Sequence, residues 1–488
     1  MSSVFRQSCA GSSAMAWFRR ATALLVASVA AMVAGAAALP VFPGATGYGT
    51  DTPAGRWGEI YVVTNLNDDG PGSLRHGLEA VQGPRVIVFE VSGVIRLKSN
   101  LILRDASHGD FGHVTIAGQT APAPGITLAG AGLNVMASHV LVQHLAIRPG
   151  DRLKPVDNRD AVMVGAKDGQ RTHHVVFDHV SASWAVDETL STWSDTGEVS
   201  DVTLINSIIS KPILNGGHSK GSHPYGVLGG RNTSRFSIVR NIMAFNMGRT
   251  PLIRDRTPGA LVVNNYIYHP GIWTNGAIYI GNLPLAPHAA SIVGNVIIRR
   301  PLPTEVERTT PEGVREKVVY RLEDYRNPGI YVHDEAEAGV GLWLRDNRLL
   351  DPRTQEWHPK NGDPYDPEIF RDARTPVRRL EQDPYADAGV TAWPAEVVED
   401  RLLAGAGKWP AQRDAIDAKL IDEIRSRTGK YLEDLAEEGE DPWASVDSTQ
   451  RRALSLPKNP QGDDDGDGYT NLEEWLHELA AVVEGRAS

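Results

Sequence analysis

Thiols are nearly absent from this chain, which has one cysteine, Cys9, among 488 residues. Cys9 precedes an apolar run and would be lost if the N-terminus were cut near Ala38. The remaining protein then needs neither a disulfide nor a thiolate. Cys9 is also badly placed for a lipid anchor, because it does not follow the apolar stretch. Long hydrophobic runs are missing too. The apolar run from Ala21 to Val33 falls short of the about 20 residues a spanning helix needs. Arg6, Arg19 and Arg20 precede the body of that run and the small residues Gly35-Ala36-Ala37-Ala38 follow it, so residues 1–38 read as a signal peptide. An uncleaved anchor is the alternative. Positive charge is in deficit: 49 Lys and Arg face 60 Asp and Glu, a net charge of -11. Removing the segment's three arginines, with no acids lost, leaves -14. Such a chain repels nucleic acid, and after signal cleavage it has no membrane segment. It should also repel an acidic polysaccharide, unless basic residues cluster or a metal bridges the charges. The expectation is a secreted monomer.

What the chain has in excess is glycine, 48 residues against an average share of about 7%. That favours many tight turns over a helical bundle. From about Val86 to Arg299 short β-branched runs end in small or polar turns, as in Val86-Ile87-Val88-Phe89, Val114-Thr115-Ile116-Ala117 and Gly125-Ile126-Thr127-Leu128. A polar centre recurs at His144, His179, Asn206, Asn241, Asn265 and Asn295, with separations of 35, 27, 35, 24 and 30 residues. That period suits stacked coils, in which neighbours bury each other's apolar faces. Polar side chains at one equivalent bend can then stack as a ladder. The fold expected is all-β, a right-handed parallel β-helix. An antiparallel sandwich would favour Asn-Gly hairpins between strands. The Asn-Gly pairs at Asn215, Asn275 and Asn361 do not sit between clean alternating strands. Beyond about Pro301 charged and proline-rich stretches take over, and Ala411 to Leu435 reads as helical, with Ile416, Leu420, Ile421 and Ile424 on one side. This tail is expected to wrap over the C-terminal end of the coils.

Three constellations carry chemistry. The segment from Asp463 fits an EF-hand-type calcium loop, with oxygens at Asp463, Asp465, Asp467, the Tyr469 carbonyl, Asn471 and Glu474, and Gly468 at the sixth position. No helix precedes it, so it is half an EF-hand, suited to bracing the C-terminus; a solvated acidic tail is the alternative. A second acidic group comprises Asp157, Asn158, Asp160, Asp178, Asp187 and Glu188. Asp160 and Asp187 are 27 residues apart, one coil by the ladder count. Carboxylates that close repel unless a cation joins them, although turn aspartates are usually just solvated. The third group is basic: His218, Lys220 and His223 before Tyr225, then Arg249, Arg254 and Arg256 about one coil later. Guanidinium groups beside a carboxylate cluster suit a carboxylate ligand, held bidentately. Paired surface charges are the alternative reading.

These segments resemble a known family. Phe42-Pro43-Gly44-Ala45-Thr46-Gly47-Tyr48-Gly49, Val63-Thr64-Asn65-Leu66-Asn67-Asp68-Asp69-Gly70, Thr115-Ile116-Ala117-Gly118-Gln119-Thr120, Phe177-Asp178-His179-Val180-Ser181 and above all Arg249-x-Pro251-x-x-Arg254 are similar to bacterial pectate lyases of polysaccharide lyase family 1. The resemblance covers roughly Val41 to Arg300. It implies a β-helix, calcium (Ca2+) as cofactor, an acidic polysaccharide (pectate) as substrate, and cleavage of polygalacturonate by β-elimination to unsaturated oligogalacturonides. It implies Arg249 as base, Arg254 as a clamp on substrate carboxylate, and Asp160, Asn158, Asp187 and Glu188 at calcium, with Asp178 close by. Ser191 stands where the family often has another aspartate, and Tyr225 where it has a substrate lysine, so Lys220 or His223 would take that role. The organisation implied is a signal peptide at 1–38, a catalytic β-helix at 39–300, an extension packed on it at 301–455, and the calcium loop with a terminal helix at 456–488. Two other functions stay open. One is a polygalacturonase-like hydrolase using Asp178 with Asp187 as paired carboxylates. The other is a non-catalytic carbohydrate-binding β-helix.

Overall fold

The computed structural model describes residues 39–486 apart from 168, 255–256, 282–288, 301–303, 325–326, 334–339 and 373–376. The expected signal peptide, and Arg256 of the basic group, lie outside those residues. The strands of the chain lay down three long sheets, and consecutive coils pair in parallel within each. One coil illustrates the pattern. Arg171–Asp178 lies in the first sheet, Ser181–Ser183 in the second and Glu188–Trp193 in the third, before Glu198–Ile205 returns to the first. Each strand pairs with its counterpart in the next coil, Val175 with Val202, Ser181 with Ile208 and Leu190 with Val227. The result is a right-handed parallel β-helix.

Register puts like beside like. Val142, Phe177, Leu204, Ile238, Val262, Ile292 and Leu344 are partners along the first sheet and all are buried. Each contributes about 1.5–3 kcal/mol by leaving water, which one coil alone could not obtain. At the bend from the first sheet to the second the chain needs a left-handed residue. Arg240, Asn264 and Asp346 take it with φ of 58°, 54° and 51°. The residue after each points inward and forms the expected ladder. Asn241 Nδ2 donates to Asn265 Oδ1 at 3.0 Å, Asn265 to Asn295 at 3.0 Å and Asn295 to Asn347 at 2.9 Å. Their Oδ1 atoms also accept backbone N–H groups of the preceding coil, and their Nδ2 atoms reach carbonyls such as Ile238 O at 2.8 Å. Buried bend amides thus find partners. His144, His179 and Asn206 do not belong to this ladder, as the spacing alone suggested. They occupy the preceding left-handed position, with φ of 57°, 52° and 52°, one residue before the ladder position.

The coils continue past residue 300. Ile330–Val332, Gly341–Arg345, Arg348–Leu350, Phe370–Asp372 and Arg378–Arg379 all extend the sheets. A hairpin of Thr304–Thr309 against Arg315–Tyr320 leaves the stack between them. Helix α1 (Leu74–Glu79) buries Leu74 and Leu78 in the main core near its first strands. Tyr365 and Val377 pack on the main core beside the last coils, and from Trp393 onward the tail runs back along the flank. Helices α2 (Val398–Gly405) and α3 (Ala415–Arg425) cover the second sheet, where Leu402, Leu420, Ile421 and Ile424 meet Ile242, Tyr266 and Val296. Asp414 caps α3 and, with Asp417, holds the fully buried Arg148 guanidinium at 2.7–2.9 Å, while Lys408 Nζ pairs with Asp414 at 2.8 Å. Gln450–Arg451 then pairs antiparallel with Val91 and Ser92. Helix α4 (Asn471–Glu484) ends up on the first coils, its Leu472 and Leu476 against Val86 and Val88. Among the described residues no helix is long and apolar enough to cross a membrane.

Candidate active site

Where the chain passes from the second sheet into the third, four successive coils bring charged groups together. Val162 pairs with Leu190, an offset of 28 rather than 27, so the column through Asp160 runs to Glu188. Glu188 pairs with Tyr225, and Tyr225 bridges to Gly248, just before Arg249. Asp160, Asp187 and Glu188 are buried, and one oxygen from each lies within 4.8 Å of the others. Ser191, which pairs with Met163 across the strands, donates a short hydrogen bond to Asp160. Asn158 is exposed in a left-handed turn with φ of 54°, and among the described residues no contact ties it to these carboxylates.

Burial and the neighbouring Asp187 push the Asp160 carboxyl well above its ordinary range. Asp187 goes the other way. Burial alone would raise it, but His218, His223 and Arg249 hold it below the ordinary carboxylate value. His218 Nε2 stands 3.5 Å and His223 Nε2 3.3 Å from its two oxygens, and the two rings stack at 4.6 Å. Burial brings His223 down to about 4, so it is neutral near pH 7. Asp187 Oδ1 has no hydrogen-bond partner among the described residues.

Arg249 sits in a left-handed turn, φ 57°, that aims its side chain back over the preceding coil. It forms an ion pair with Glu188, and its guanidinium carbon lies 3.9 Å from the centre of the Tyr225 ring. Burial first, and then the nearby Arg254, lower it from 12.5 to about 10, against the pull of Asp187 and Asp160. Arg254 lies over Trp193 at 5.5 Å. The Tyr225 hydroxyl is pushed up by burial and by Asp187, so it stays protonated beneath Arg249.

The remaining expected residues fall into separate places. Lys220 borders a cavity of about 220 Å³ with Ser222, Trp273, Arg308 and Thr309. Its far wall is the hairpin, tied down by Thr309 Oγ1 on Asn215 Oδ1 at 2.8 Å and by Ser222 N on Thr309 O at 2.7 Å. Asp178 is not part of the carboxylate trio. It stands at the bend between the first and second sheets and groups with His144, His179 and Glu484. The strand direction explains this: Asp178 closes one strand, whereas Glu188 opens the strand after next and Asp187 stands just before it. Asp178 and Asp187 therefore cannot act as a facing hydrolytic pair. Asp463, Asp465 and Asp467 do converge, with ligand oxygens within 4.8 Å. Gly468 adopts φ 99° there, and its N–H donates to Asp463 at 3.0 Å. Tyr469 is buried, and Asn471 Oδ1 accepts from Asp464 N at 3.1 Å. The Glu474 carboxyl is raised, by slight burial and by Asp465, Asp467, Asp463 and Asp464, which it faces. Strand patterns do not single out Trp193, Trp273 or Arg308; a half-buried tryptophan at a coil lip is the one signal that points to them.

No family model matches the chain. It is similar to "Probable pectate lyase C" of Neosartorya fischeri, 36% identical over 281 residues, 57% of this chain and 59% of that protein. It is also similar to the protein of that name from Aspergillus flavus, 37% identical over 266 residues, 54% of this chain and 55% of that one. The chain thus spans less than two thirds of the length of these curated relatives, and they are fungal where the motifs had suggested bacterial ones. Among solved structures, a pectate lyase bound to hexasaccharide superposes with a TM-score of 0.47 at 13% identity, over 78% of this chain and 99% of that one. The cedar-pollen allergen jun a 1 gives 0.42 at 16% identity, over 73% and 90%. At those scores the likeness adds nothing to the fold already described.

Proposed function

We propose that this protein is an exported, calcium-dependent pectate lyase that cleaves polygalacturonate by β-elimination. The observation that carries the proposal is Arg249, buried to a value of about 10 and set against three converging carboxylates. The relatives named pectate lyase support the same reading, as does the signal-like pattern of residues 1–38 for export.

The carboxylates fit a hard cation. Three buried acids converge, Asp187 Oδ1 has no hydrogen-bond partner among the described residues, and Asp160 is driven toward its neutral form by burial and by Asp187. Asp160, Asp187 and Glu188 would hold it. Calcium bound there would withdraw charge from the uronide carboxylate and stabilise the enolate-like intermediate. Neutral Arg249 removes the proton from C5 of the uronide. The C–H electron pair becomes the C4=C5 double bond, the C4–O glycosidic bond breaks, and the leaving oxygen gains a proton from water. Tyr225 supports the guanidinium, and Arg249 is free to act only when it is released from Glu188. Arg254 binds substrate carboxylate. Lys220 and Arg308, across their cavity, take the place of the family lysine at a neighbouring uronide, while His223, neutral and against Asp187, orients that carboxylate. At the other end the loop of Asp463, Asp465, Asp467, the Tyr469 carbonyl, Asn471 and Glu474 binds a second calcium that braces α4.

The test is the ultraviolet absorbance of product from polygalacturonate, with calcium and with excess chelator. Absorbance growing only with calcium supports the proposal. New reducing ends without absorbance would indicate a hydrolase, and binding without any product a carbohydrate-binding module.

A further inference from the structure

Away from the lyase site lies a second cluster that the lyase chemistry does not use. His144, Asp178 and His179 lie at the bend between the first and second sheets, one coil apart, and Glu484 comes from the last turn of α4. The four residues each offer one ligand atom, and these atoms lie within 4.8 Å of one another. We propose that this cluster is a structural zinc site, with His144 Nε2, His179 Nδ1, Asp178 Oδ1 and Glu484 Oε1 as ligands, that clips α4 to the β-helix.

Three features argue for a metal rather than a hydrogen-bond network. First, His144 is fully buried, yet among the described residues its Nε2 has no hydrogen-bond partner and faces Glu484 Oε1 at 3.4 Å. Its other nitrogen, Nδ1, lies 2.8 Å from the Lys408 carbonyl. That carbonyl can only accept, so Nδ1 carries a hydrogen, and the neutral ring then turns its Nε2 lone pair inward. A backbone carbonyl fixing the second nitrogen is the usual support of a metal-bound histidine. Second, His179 Nδ1 stands 2.8 Å from Asp178 Oδ1 and 3.7 Å from Glu484 Oε1, yet makes no well-aligned hydrogen bond among the described residues. A tetrahedral zinc with bonds near 2.0–2.1 Å sets its ligands about 3.3 Å apart, the scale of these separations. Third, the carboxylates are held from behind. Gln143 Nε2 donates to Asp178 Oδ2 at 2.9 Å, Asn206 Nδ2 to Asp178 Oδ1 at 2.9 Å, and Arg486 Nε to Glu484 Oε2 at 2.5 Å. Oε1 of Glu484 is left to face the histidines.

The donor set selects the ion. Calcium takes oxygen ligands, whereas two imidazoles with two carboxylates in a compact group suit zinc. Four protein ligands leave no open position, which is the structural rather than the catalytic arrangement. A cavity of about 370 Å³ bordered by Asp178, His179 and Glu484 gives the ion a way in. The clip would join residues 179 and 484, closing most of the chain into one loop, where a cross-link restrains the unfolded state most.

The experiment uses the full chain, stripped with chelator, returned to excess calcium so that the all-oxygen sites are filled, and then titrated with zinc or with cobalt as a coloured reporter. The expected result is one zinc per chain retained after dialysis, a tetrahedral cobalt spectrum, and a zinc-dependent rise in melting temperature. His144→Ala and Glu484→Gln should abolish all three. Gln143→Ala, which keeps every ligand, should weaken binding about 10–100-fold. His113, His139, His173 and His174 form a separate histidine group, so His139→Ala is the control and should change nothing. A wild-type chain that retains no zinc, or zinc lost in His139→Ala but kept in His144→Ala, would overturn the assignment.

Discussion

The lowered basicity of Arg249 makes a quantitative prediction. With its value near 10 in place of 12.5, about 1% of chains carry a neutral guanidine at pH 8, against roughly 0.003% for an ordinary arginine. The gain is about 300-fold in available base, or ~3 kcal/mol at about 1.4 kcal/mol per tenfold change. The sign follows from the role. Deprotonation creates the base, so kcat should rise about tenfold per pH unit from pH 7 and level off near 10. Burial is the largest cause of the shift and the charge of Arg254 the next that lowers it. Arg254→Gln should therefore move the break upward, beyond its effect on substrate binding, which falls on KM. The assay is the initial rate of unsaturated product at fixed saturating calcium across pH 7–11. A profile flat between pH 7 and 10, or a break that Arg254→Gln leaves in place, would refute arginine as the base.

Other outcomes follow from the scaffold. Asn265→Ala leaves the Asn241 N–H and the Ile238 carbonyl without their partners inside the core; it should cost about 2–4 kcal/mol, read as a lower urea midpoint. Arg148→Ala removes the cation paired with buried Asp417 and leaves Asp414 to Lys408 alone, and should cost about 3–5 kcal/mol and loosen the tail, seen as faster proteolysis around α3. Asp467→Ala should weaken calcium protection of α4 against heating without changing the initial lyase rate at saturating calcium. A loss of rate equal to that of an Asp187 variant would instead place the loop in catalysis.

The coil architecture was readable because its apolar runs and polar centres recur at coil spacing. The ladder was misplaced by one residue at its start for a physical reason. His144, His179 and Asn206 share the polar character of Asn241 but fill the left-handed position before it, and spacing alone cannot separate adjacent positions. Asp178 was drawn into the wrong acidic group in the same way. Closeness in sequence to Asp187 hides the corner between them, since one residue closes a strand and the other stands just before the strand after next. Arg249 with Arg254, and Asp160 with Asp187 and Glu188, were readable because register brings adjacent coils together at fixed offsets. Contacts made by the returning tail were not. Glu484 on the 144–179 bend, and Arg308 across from Lys220, depend on where long segments dock, which no local period encodes.

The central claim is that Arg249 is the base of an elimination. It is tested most directly by assaying wild type and Arg249→Ala side by side on polygalacturonate with calcium, with equal thermal stability as the check on folding. Loss of unsaturated product by at least about 100-fold in the variant is the result predicted. Turnover near the wild-type rate would contradict it.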